Sequence, residues 1–248
     1  MVYNVRVEKQ PQNIYALEKD YAKERAEKPV RKFRLQCRAL AAALAFQEYA
    51  TELDPPRILD VGAADGQTLA ALARQLSPQQ ALGLEYSQGL IDAAPPLPPP
   101  CRLLQGDASD PHPDLAENHF DLVSGLAIVA YLPTPQAFIQ QALRYLKPGG
   151  LLVLTTPSAF WDHLSVKLGV LPRDHARVYT RTALHRLLSE QGFEVLSYQR
   201  FMFMPLGIWP YLHVPVAPAF ALALDRVLHG IRLLDWLMTN QLVVGRKP

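Results

Sequence analysis

From residue 57 to residue 69 the sequence reads Arg57-Ile58-Leu59-Asp60-Val61-Gly62-Ala63-Ala64-Asp65-Gly66-Gln67-Thr68-Leu69. Its first five residues are mostly apolar and β-prone, as a parallel strand covered on both faces requires. Gly62 and Gly66 then allow the backbone to turn sharply and to approach a ligand closely. The residues that follow are good helix formers. The stretch therefore predicts a strand, a tight turn and a helix, an arrangement that binds nucleoside-bearing ligands.

The spacing of the two glycines limits the kind of ligand. Gly62-x-x-x-Gly66 is neither the G-x-G-x-x-G of a dinucleotide-binding fold nor the G-x-x-x-x-G-K-[ST] of a P-loop. No lysine or arginine stands between Asp60 and Arg74 to meet phosphate groups. The acids Asp60 and Asp65 instead suit a ligand that carries positive charge near the turn, such as an ammonium or sulfonium group.

Length and composition indicate an ordinary globular protein with one core, since 49% of the 248 residues are hydrophobic and 19% are charged. A net charge of +2 argues against a general nucleic-acid interface, so no nucleic-acid partner is expected. Cys37 and Cys101 show neither metal-ligand nor disulfide spacing, which favours a reducing compartment. The polar N-terminus lacks a signal peptide and no apolar run is long enough to span a membrane, so we expect a cytoplasmic protein.

Strand and helix patterns alternate along the rest of the chain, which predicts an open parallel sheet. Further strands are expected near residues 81–85, 102–105, 120–124, 151–155 and 194–198, with an antiparallel last strand at 242–246. We therefore predict an α/β fold, a Rossmann-like doubly wound seven-stranded sheet that binds ligands at the carboxyl ends of its strands. The expected units are an N-terminal helical cap (1–56, with helices at 13–27 and 33–49), a core (57–200), an apolar helical insertion (201–240) and the final strand of the core (241–248).

Further motifs follow the glycine turn in a fixed order. Glu85 ends the second strand, Gly106-Asp107 follows the third, and Phe120-Asp121-Leu122-Val123 forms the fourth. Residues 146–154, Leu-Lys-Pro-Gly-Gly-Leu-Leu-Val-Leu, then end a helix and begin a buried strand. Together with residues 57–69, this order resembles the motifs of class I S-adenosylmethionine (SAM)-dependent methyltransferases. Ala64 stands where the middle glycine of their first motif is usual, and we expect the loop to tolerate it with slightly less backbone freedom.

The resemblance implies S-adenosylmethionine as cofactor. It implies Glu85 at the ribose hydroxyls, Asp107 with the Ala108 amide at the adenine, and Ala127 on the other side of the base. Tyr86 either lies against the cofactor or is simply a half-exposed aromatic. The implied cofactor-binding residues are Asp60, Gly62, Ala63, Ala64, Gly66, Glu85, Tyr86, Asp107, Ala108 and Ala127.

The same resemblance implies an enzyme that methylates a small-molecule acceptor, at oxygen or carbon. A general base is needed only for a hydroxyl or a protonated amine. Candidates are Tyr131, His163 and His175, with Tyr179 as a further one, and no cluster of metal-binding residues at recognisable spacing is present, so we expect metal-independent transfer. The alternatives are a non-catalytic SAM-fold binding or membrane-docking subunit, and a nicotinamide oxidoreductase, against which the glycine spacing counts.

The insertion 201–240 is unusually apolar. We predict a helix over residues 219–238 whose narrow polar face is formed by Asp225, His229 and Arg232. Such a helix is buried, paired with a second copy, or in peripheral contact with a membrane, and only the last would imply a lipid-like or isoprenoid acceptor. Burial in the core or in a homodimer is the simpler interpretation. The basic residues at 28–34 are either a solvated helix face or a contact for an anionic substrate.

Overall fold

The computed structural model of the chain describes residues 27–50, 54–167, 177–212, 214–229 and 232–248. The strands are β1 (Arg57–Val61), β2 (Gln80–Glu85), β3 (Cys101–Gln105), β4 (Phe120–Leu126), β5 (Leu146–Pro157), β6 (Glu194–Phe203) and β7 (Met238–Arg246). The α-helices are α1 (Pro29–Tyr49), α2 (Gln67–Leu76), α3 (Gln88–Asp92), α4 (Pro135–Tyr145), α5 (Ala159–Lys167), α6 (Arg181–Ser189), α7 (Met204–Ile208) and α8 (Pro218–His229). Two 3-10 segments are η1 (Trp209–Leu212) and η2 (Arg232–Leu237).

The strands form one seven-stranded sheet in the order β3-β2-β1-β4-β5-β7-β6. Strands β1 to β5 are parallel, and β7 is antiparallel to both of its neighbours. This confirms the predicted doubly wound sheet with an antiparallel last strand. The strand order reverses between β1 and β4, and the cleft at such a switch point is where open α/β sheets bind ligands.

Helices cover both faces of the sheet, as the apolar runs of the central strands predict. Ile58 and Leu122 face the layer that contains α1 and α2, whereas Leu59 and Val123 face the layer that contains α4 and α6. All four side chains are fully buried. The core therefore lies in two layers, one on each side of the central strands.

Helix α1 crosses its face of the sheet from the carboxyl edge to the amino edge. Near its middle, the Arg38 guanidinium donates to Asn240 Oδ1 at 3.1 Å, close to the carboxyl end of β5. At its end, Arg246 donates to the Tyr49 carbonyl oxygen at 3.1 Å, at the opposite edge. Pro29 occupies the first turn of α1, where a missing N–H costs nothing. The helix predicted at residues 13–27 lies almost wholly outside the described residues.

The segment between β6 and β7 differs from the expected single helix over 219–238. Helix α8 ends at His229, η2 follows, and β7 already begins at Met238. Asp225, which we expect on the narrow polar face of that helix, is buried, because its side chain is only 3% exposed. Its carboxylate accepts the backbone N–H groups of Met202 and Phe203 at 2.7 and 3.0 Å. Periodicity could not show that this acid binds the end of a strand instead of water.

Candidate active site

The glycine turn after β1 is built from three residues with left-handed backbone. Gly62, Ala64 and Gly66 have φ values of 74°, 51° and 74°. Glycine adopts this conformation freely, whereas alanine does so at a cost of about 1–2 kcal/mol. The Gly66 N–H donates to the Ala63 carbonyl at 2.9 Å and closes the turn just before α2 begins. The chain thus keeps the tight turn although Ala64 replaces the usual glycine.

Ile128, which follows β4, covers this turn. A Cβ atom on Gly62 would lie 2.5 Å from Ile128 Cδ1 and 3.0 Å from Ile128 Cβ. Real Cβ atoms do not approach other atoms so closely, so only glycine fits at position 62 without displacing Ile128. The segment after β4 is therefore held directly against the turn after β1.

Glu85 connects the turn to the end of β2. Its Oε2 accepts the Ala64 N–H at 2.8 Å and its Oε1 accepts the Ser87 N–H at 3.0 Å. A carboxylate has about four acceptor positions, so these two bonds leave capacity on a half-buried group. Because both bonds fix the carboxylate, it is oriented before any ligand arrives.

The two acids of the first motif lie beneath the turn. Asp60 and Asp65 are each only 1% exposed. Asp60 Oδ1 accepts the Ser124 hydroxyl at 2.6 Å, and Asp65 Oδ2 accepts the Gln67 side-chain amide at 2.6 Å. These carboxylates are held by protein groups, so they place negative charge below the turn rather than at its surface.

Asp107 and Ala108 follow β3, the neighbour of β2. Asp107 Oδ1 accepts the Ser109 N–H at 2.7 Å, which fixes the start of the loop. Ala108 is buried against the core. The two residues therefore lie just beyond the carboxyl end of β3, the edge strand next to β2.

Tyr86 and Ala127 complete the set of predicted cofactor residues. Tyr86 directly follows β2 and is 73% exposed. Ala127 directly follows β4, has a φ of 68°, and donates its N–H to the Thr155 carbonyl at 3.0 Å. All ten predicted cofactor residues thus lie at the carboxyl ends of the adjacent strands β1 to β4. Their roles toward a cofactor stay predictions.

Two of the predicted catalytic residues follow strands at the same edge. Tyr131 lies five residues after β4 and is 49% exposed. His163 is exposed on α5, and its Nδ1 lies 2.8 Å from the Ala159 carbonyl oxygen. Because a carbonyl only accepts, Nδ1 carries the proton in the neutral ring and Nε2 keeps its lone pair. The third, His175, lies outside the described residues.

The structure argues against Tyr179 as a base. Its side chain is buried, and its hydroxyl lies 3.5 Å from the Val129 carbonyl oxygen. Burial raises the pKa of Tyr179 further above its ordinary value. A phenol that resists ionisation packs the loop after β4 instead of accepting a proton.

Asp60 belongs to a row of buried polar residues on the α1 face whose other three members the sequence patterns did not reveal. Asp60, Ser124, Thr155 and Asn240 lie near the carboxyl edge on β1, β4, β5 and β7. Each of them is two residues away from an apolar residue of the same strand that packs in the α1 layer. Because side chains two residues apart in a strand lie on the same face, all four polar side chains face α1. That spacing was the signal that could have revealed them within strands that otherwise seem uniformly apolar.

Thr155 is the unusual member of this row. Its hydroxyl is buried and, within the described part of the chain, has no hydrogen-bond partner. Buried polar groups are nearly always paired, because an unpaired one costs about 1–3 kcal/mol. Thr155 and Asn240 are diagonal neighbours across the β5–β7 pairing. The Arg38 guanidinium, which is bound to Asn240, therefore lies on the same side of the sheet as the Thr155 hydroxyl.

The donors and acceptors of this edge fit a nucleoside that carries a positive group. The fixed Glu85 carboxylate suits a pair of ribose hydroxyls, and the glycine turn allows close backbone approach. The acids beneath the turn favour positive charge, and no basic residue follows Asp60 before Arg74 to hold a pyrophosphate. Among the described residues, no three His, Cys, Asp or Glu side chains are placed to hold a metal ion.

Comparisons with known proteins agree with this chemistry. A family model described as a methyltransferase domain matches residues 30–198. Trans-aconitate 2-methyltransferase of Deinococcus radiodurans is 29% identical over 129 residues, which are 52% of this chain and 48% of that protein. The chloroplastic 2-methyl-6-phytyl-1,4-hydroquinone methyltransferase of spinach (Spinacia oleracea) is 33% identical over 110 residues, which are 42% of this chain and 31% of that protein. The chain thus spans between about a third and a half of these curated relatives.

Solved structures share the fold over most of the chain. A chain from the complex of the Haloferax volcanii Trm112 methyltransferase activator with a protein assigned as a methyltransferase superposes with a TM-score of 0.66 and 16% identity. The superposition covers 97% of this chain and 100% of that one. Phosphoethanolamine N-methyltransferase 2 of Haemonchus contortus, solved in complex with S-adenosyl-L-methionine, has a TM-score of 0.55 and 15% identity over 83% of this chain and 52% of that one.

Proposed function

We propose that this chain, which belongs to the methyltransferase domain family and has the class I fold, uses S-adenosylmethionine to methylate a small-molecule acceptor. The observation that carries the proposal is the fixed Glu85 carboxylate bound to the glycine turn through the Ala64 N–H. The turn and the carboxylate lie side by side at the switch point of the sheet, where such folds bind nucleosides. The methyl donor found in a solved structure of the same fold supports this choice of cofactor.

The bound cofactor supplies a methyl group that is already activated by a sulfonium. The chain must therefore hold the donor and acceptor in line and exclude water. Ile128 closes over Gly62 at van der Waals distance and shields the turn. The buried charge of Asp60, fixed by Ser124, favours a cation at the carboxyl edge.

We place the acceptor between the end of β5, the segment after β4 and helix α1. The Thr155 hydroxyl is fully covered and has no partner among the described residues, so it bonds a polar acceptor group once the side chains over it move aside. If that group is a hydroxyl, its proton passes to the Nε2 of His163 or through water to the solvent near Tyr131. Oxygen and carbon are the acceptor atoms we favour. An electron-rich ring carbon that takes the methyl group afterwards releases its own proton by the same routes.

Exposed aromatic side chains at the carboxyl edge favour an acceptor with an apolar chain. Phe160 and Trp236 lie after β5 and before β7, and each is 53% exposed. Their rings contact each other edge to face, with centroids 6.1 Å apart. The spinach relative is named for a phytyl-bearing hydroquinone, which combines an electron-rich ring with a long apolar chain. The name of the Deinococcus relative specifies a small polyacid instead, so a polar acceptor is the contrasting outcome.

Transfer of a labelled methyl group tests the proposal. The full chain is incubated with methyl-labelled S-adenosylmethionine and a bacterial extract separated into lipid and aqueous fractions. We expect label in the lipid fraction, dependent on active protein and much reduced in the Thr155→Val variant. Label only in the aqueous fraction contradicts the apolar acceptor. Bound cofactor with no transfer in any fraction supports the non-catalytic alternative.

A further inference from the structure

Large exposed apolar side chains lie on one edge of the molecule. Within the described residues there are nine, and every one belongs to a segment that leaves the sheet at its carboxyl edge. Strand β6 runs in the same direction as β5, so the segment between β6 and β7 also leaves and re-enters at this edge. The apolar rim, as we call the seven members on α5 and on that segment, consists of Phe160, Trp209, Leu212, Val214, Phe220, Val227 and Trp236.

The elements that carry the apolar rim contact one another. The Trp161 indole N–H donates to the Trp236 carbonyl oxygen at 2.6 Å, which joins α5 to η2. Helix α8 packs on η2 and on α1, and η1 also packs on α1. The elements that carry the rim are therefore packed together at one side of α1 and the sheet.

Basic side chains border this surface. The start of α1 carries Lys28, Arg31, Lys32 and Arg34, and Lys28 and Lys32 are exposed. Residues 28–34 precede Arg38 by four to ten positions, which corresponds to about 6–15 Å along a helix. Arg38 already lies at the carboxyl edge, beside Asn240. The basic turns, as we call residues 28–34, therefore project beyond the edge on which the apolar rim lies.

The acidic side chains on the elements that carry the apolar rim are buried or half-buried. On α5 and on the described residues between β6 and β7, the acids are Asp162, Asp225 and Asp235. Asp162 and Asp225 are 5% and 3% exposed, and Asp235 is half-buried. Lys167 and Arg226 are exposed on these elements. Among the described residues beside the basic turns, which hold four positive charges, Glu27 is an exposed acid.

We propose that the apolar rim and the basic turns together dock this protein on the surface of an anionic lipid bilayer. Exposed aromatic and aliphatic side chains enter the boundary between headgroups and acyl chains, and lysines and arginines pair with anionic headgroups. Among the described residues no helix is long and apolar enough to cross a membrane, so contact is at the surface. The excess of positive over exposed negative charge favours an anionic lipid surface over a second copy, whose basic turns would carry the same net positive charge.

This docking has a consequence that rests on the proposed function. The carboxyl edge, with Thr155 and the glycine turn, then faces the bilayer. An acceptor with a long apolar chain reaches the site while its chain stays in lipid. Docking itself needs neither cofactor nor acceptor, so it is measured separately from methyl transfer.

Vesicle flotation of the full chain tests the docking surface. Vesicles of phosphatidylcholine alone are compared with vesicles that also contain phosphatidylglycerol, at low and at high salt. We expect binding only to the anionic vesicles, with release at high salt. Phe220→Gln with Val227→Gln removes part of the rim, and Lys28→Glu with Lys32→Glu reverses part of the charge. Each pair should lower the partition coefficient at least about tenfold, since one basic residue contributes about fivefold.

The matched control reverses two exposed arginines at the opposite edge, Arg74→Glu with Arg102→Glu, and should change the partition coefficient less than about twofold. Thermal unfolding checks that each variant is folded. Absence of binding to anionic vesicles, or equal binding by the rim variant, overturns the proposal. A dimer in solution that Phe220→Gln with Val227→Gln dissociates also overturns it, because a second copy then covers the rim.

Discussion

Replacing Gly62 by alanine tests the packing at the turn most sharply. An alanine in the left-handed backbone of position 62 destabilises the folded state by about 1–2 kcal/mol. The lower conformational entropy of the unfolded chain offsets about 0.4–1 kcal/mol of this cost. The clash with Ile128 adds about 1–3 kcal/mol, since its Cβ as well as its Cδ1 is too close to yield by rotation alone. We therefore expect Gly62→Ala to lower the free energy of unfolding by about 3 kcal/mol, measured by urea unfolding monitored by circular dichroism.

A second substitution separates the two causes. Ile128→Ala removes the Cδ1 and Cγ1 atoms near the new methyl group but leaves the backbone strain and the 3.0 Å approach of the residue 128 Cβ. On that background Gly62→Ala should cost only about 1–2 kcal/mol, a coupling of about 1–2 kcal/mol between the two positions. Additive effects of the two substitutions, or a Gly62→Ala variant as stable as the wild type, would refute the packing of Ile128 on the turn.

Three further predictions concern the α1 face. Asp225→Ala leaves the buried N–H groups of Met202 and Phe203 without their partner and should destabilise the protein by about 2–4 kcal/mol in urea unfolding, whereas Arg226→Ala next to it should change stability by less than about 0.5 kcal/mol. Burial, reinforced by Asp225, raises the pKa of Cys37 from 9.0 to about 12. Because the unfolded thiol ionises first, stability should hold below pH 9 and fall as pH rises toward 12. The loss is about 1.4 kcal/mol at pH 10 and should be missing in Cys37→Ala; equal losses in both proteins would contradict it. Thr155→Val removes a buried hydroxyl that has no partner in the described part of the chain, so the melting temperature should be unchanged or higher while the KM for the acceptor rises about 2- to 12-fold. A fall in stability with unchanged KM would show a structural role instead.

The sheet was predictable because its signals are local. The apolar runs of β1, β4 and β5 and the glycines at 62, 66, 149 and 150 mark strand and turn positions directly. The order of acids after consecutive strands then indicated one ligand-binding edge, because parallel strands end at the same edge of a sheet. The structure places Glu85, Asp107 and Ala127 there, beside the turn.

What the sequence could not show depends on pairing between distant residues. The bond from the Ala64 N–H to Glu85 joins residues that are 21 positions apart, and the Ser124–Asp60 bond joins residues 64 positions apart. Asp225 has the spacing of a solvated helix face, and only its contact with the end of β6 shows that it is buried. That the Thr155 hydroxyl has no partner among the described residues likewise depends on contacts between distant elements, which no local pattern records.

Binding of S-adenosylmethionine, measured by isothermal titration calorimetry, tests the central claim most directly. The wild type should bind one equivalent, and Glu85→Gln should bind about 10- to 100-fold more weakly because a hydrogen bond to a fixed charge is lost. Glu117→Gln makes the same chemical change at an exposed ion pair with Arg144 and should leave the affinity unchanged. Wild-type protein that does not bind the cofactor, or a Glu85→Gln variant that binds it as tightly as the wild type, would contradict the assignment of the carboxyl edge as the cofactor site.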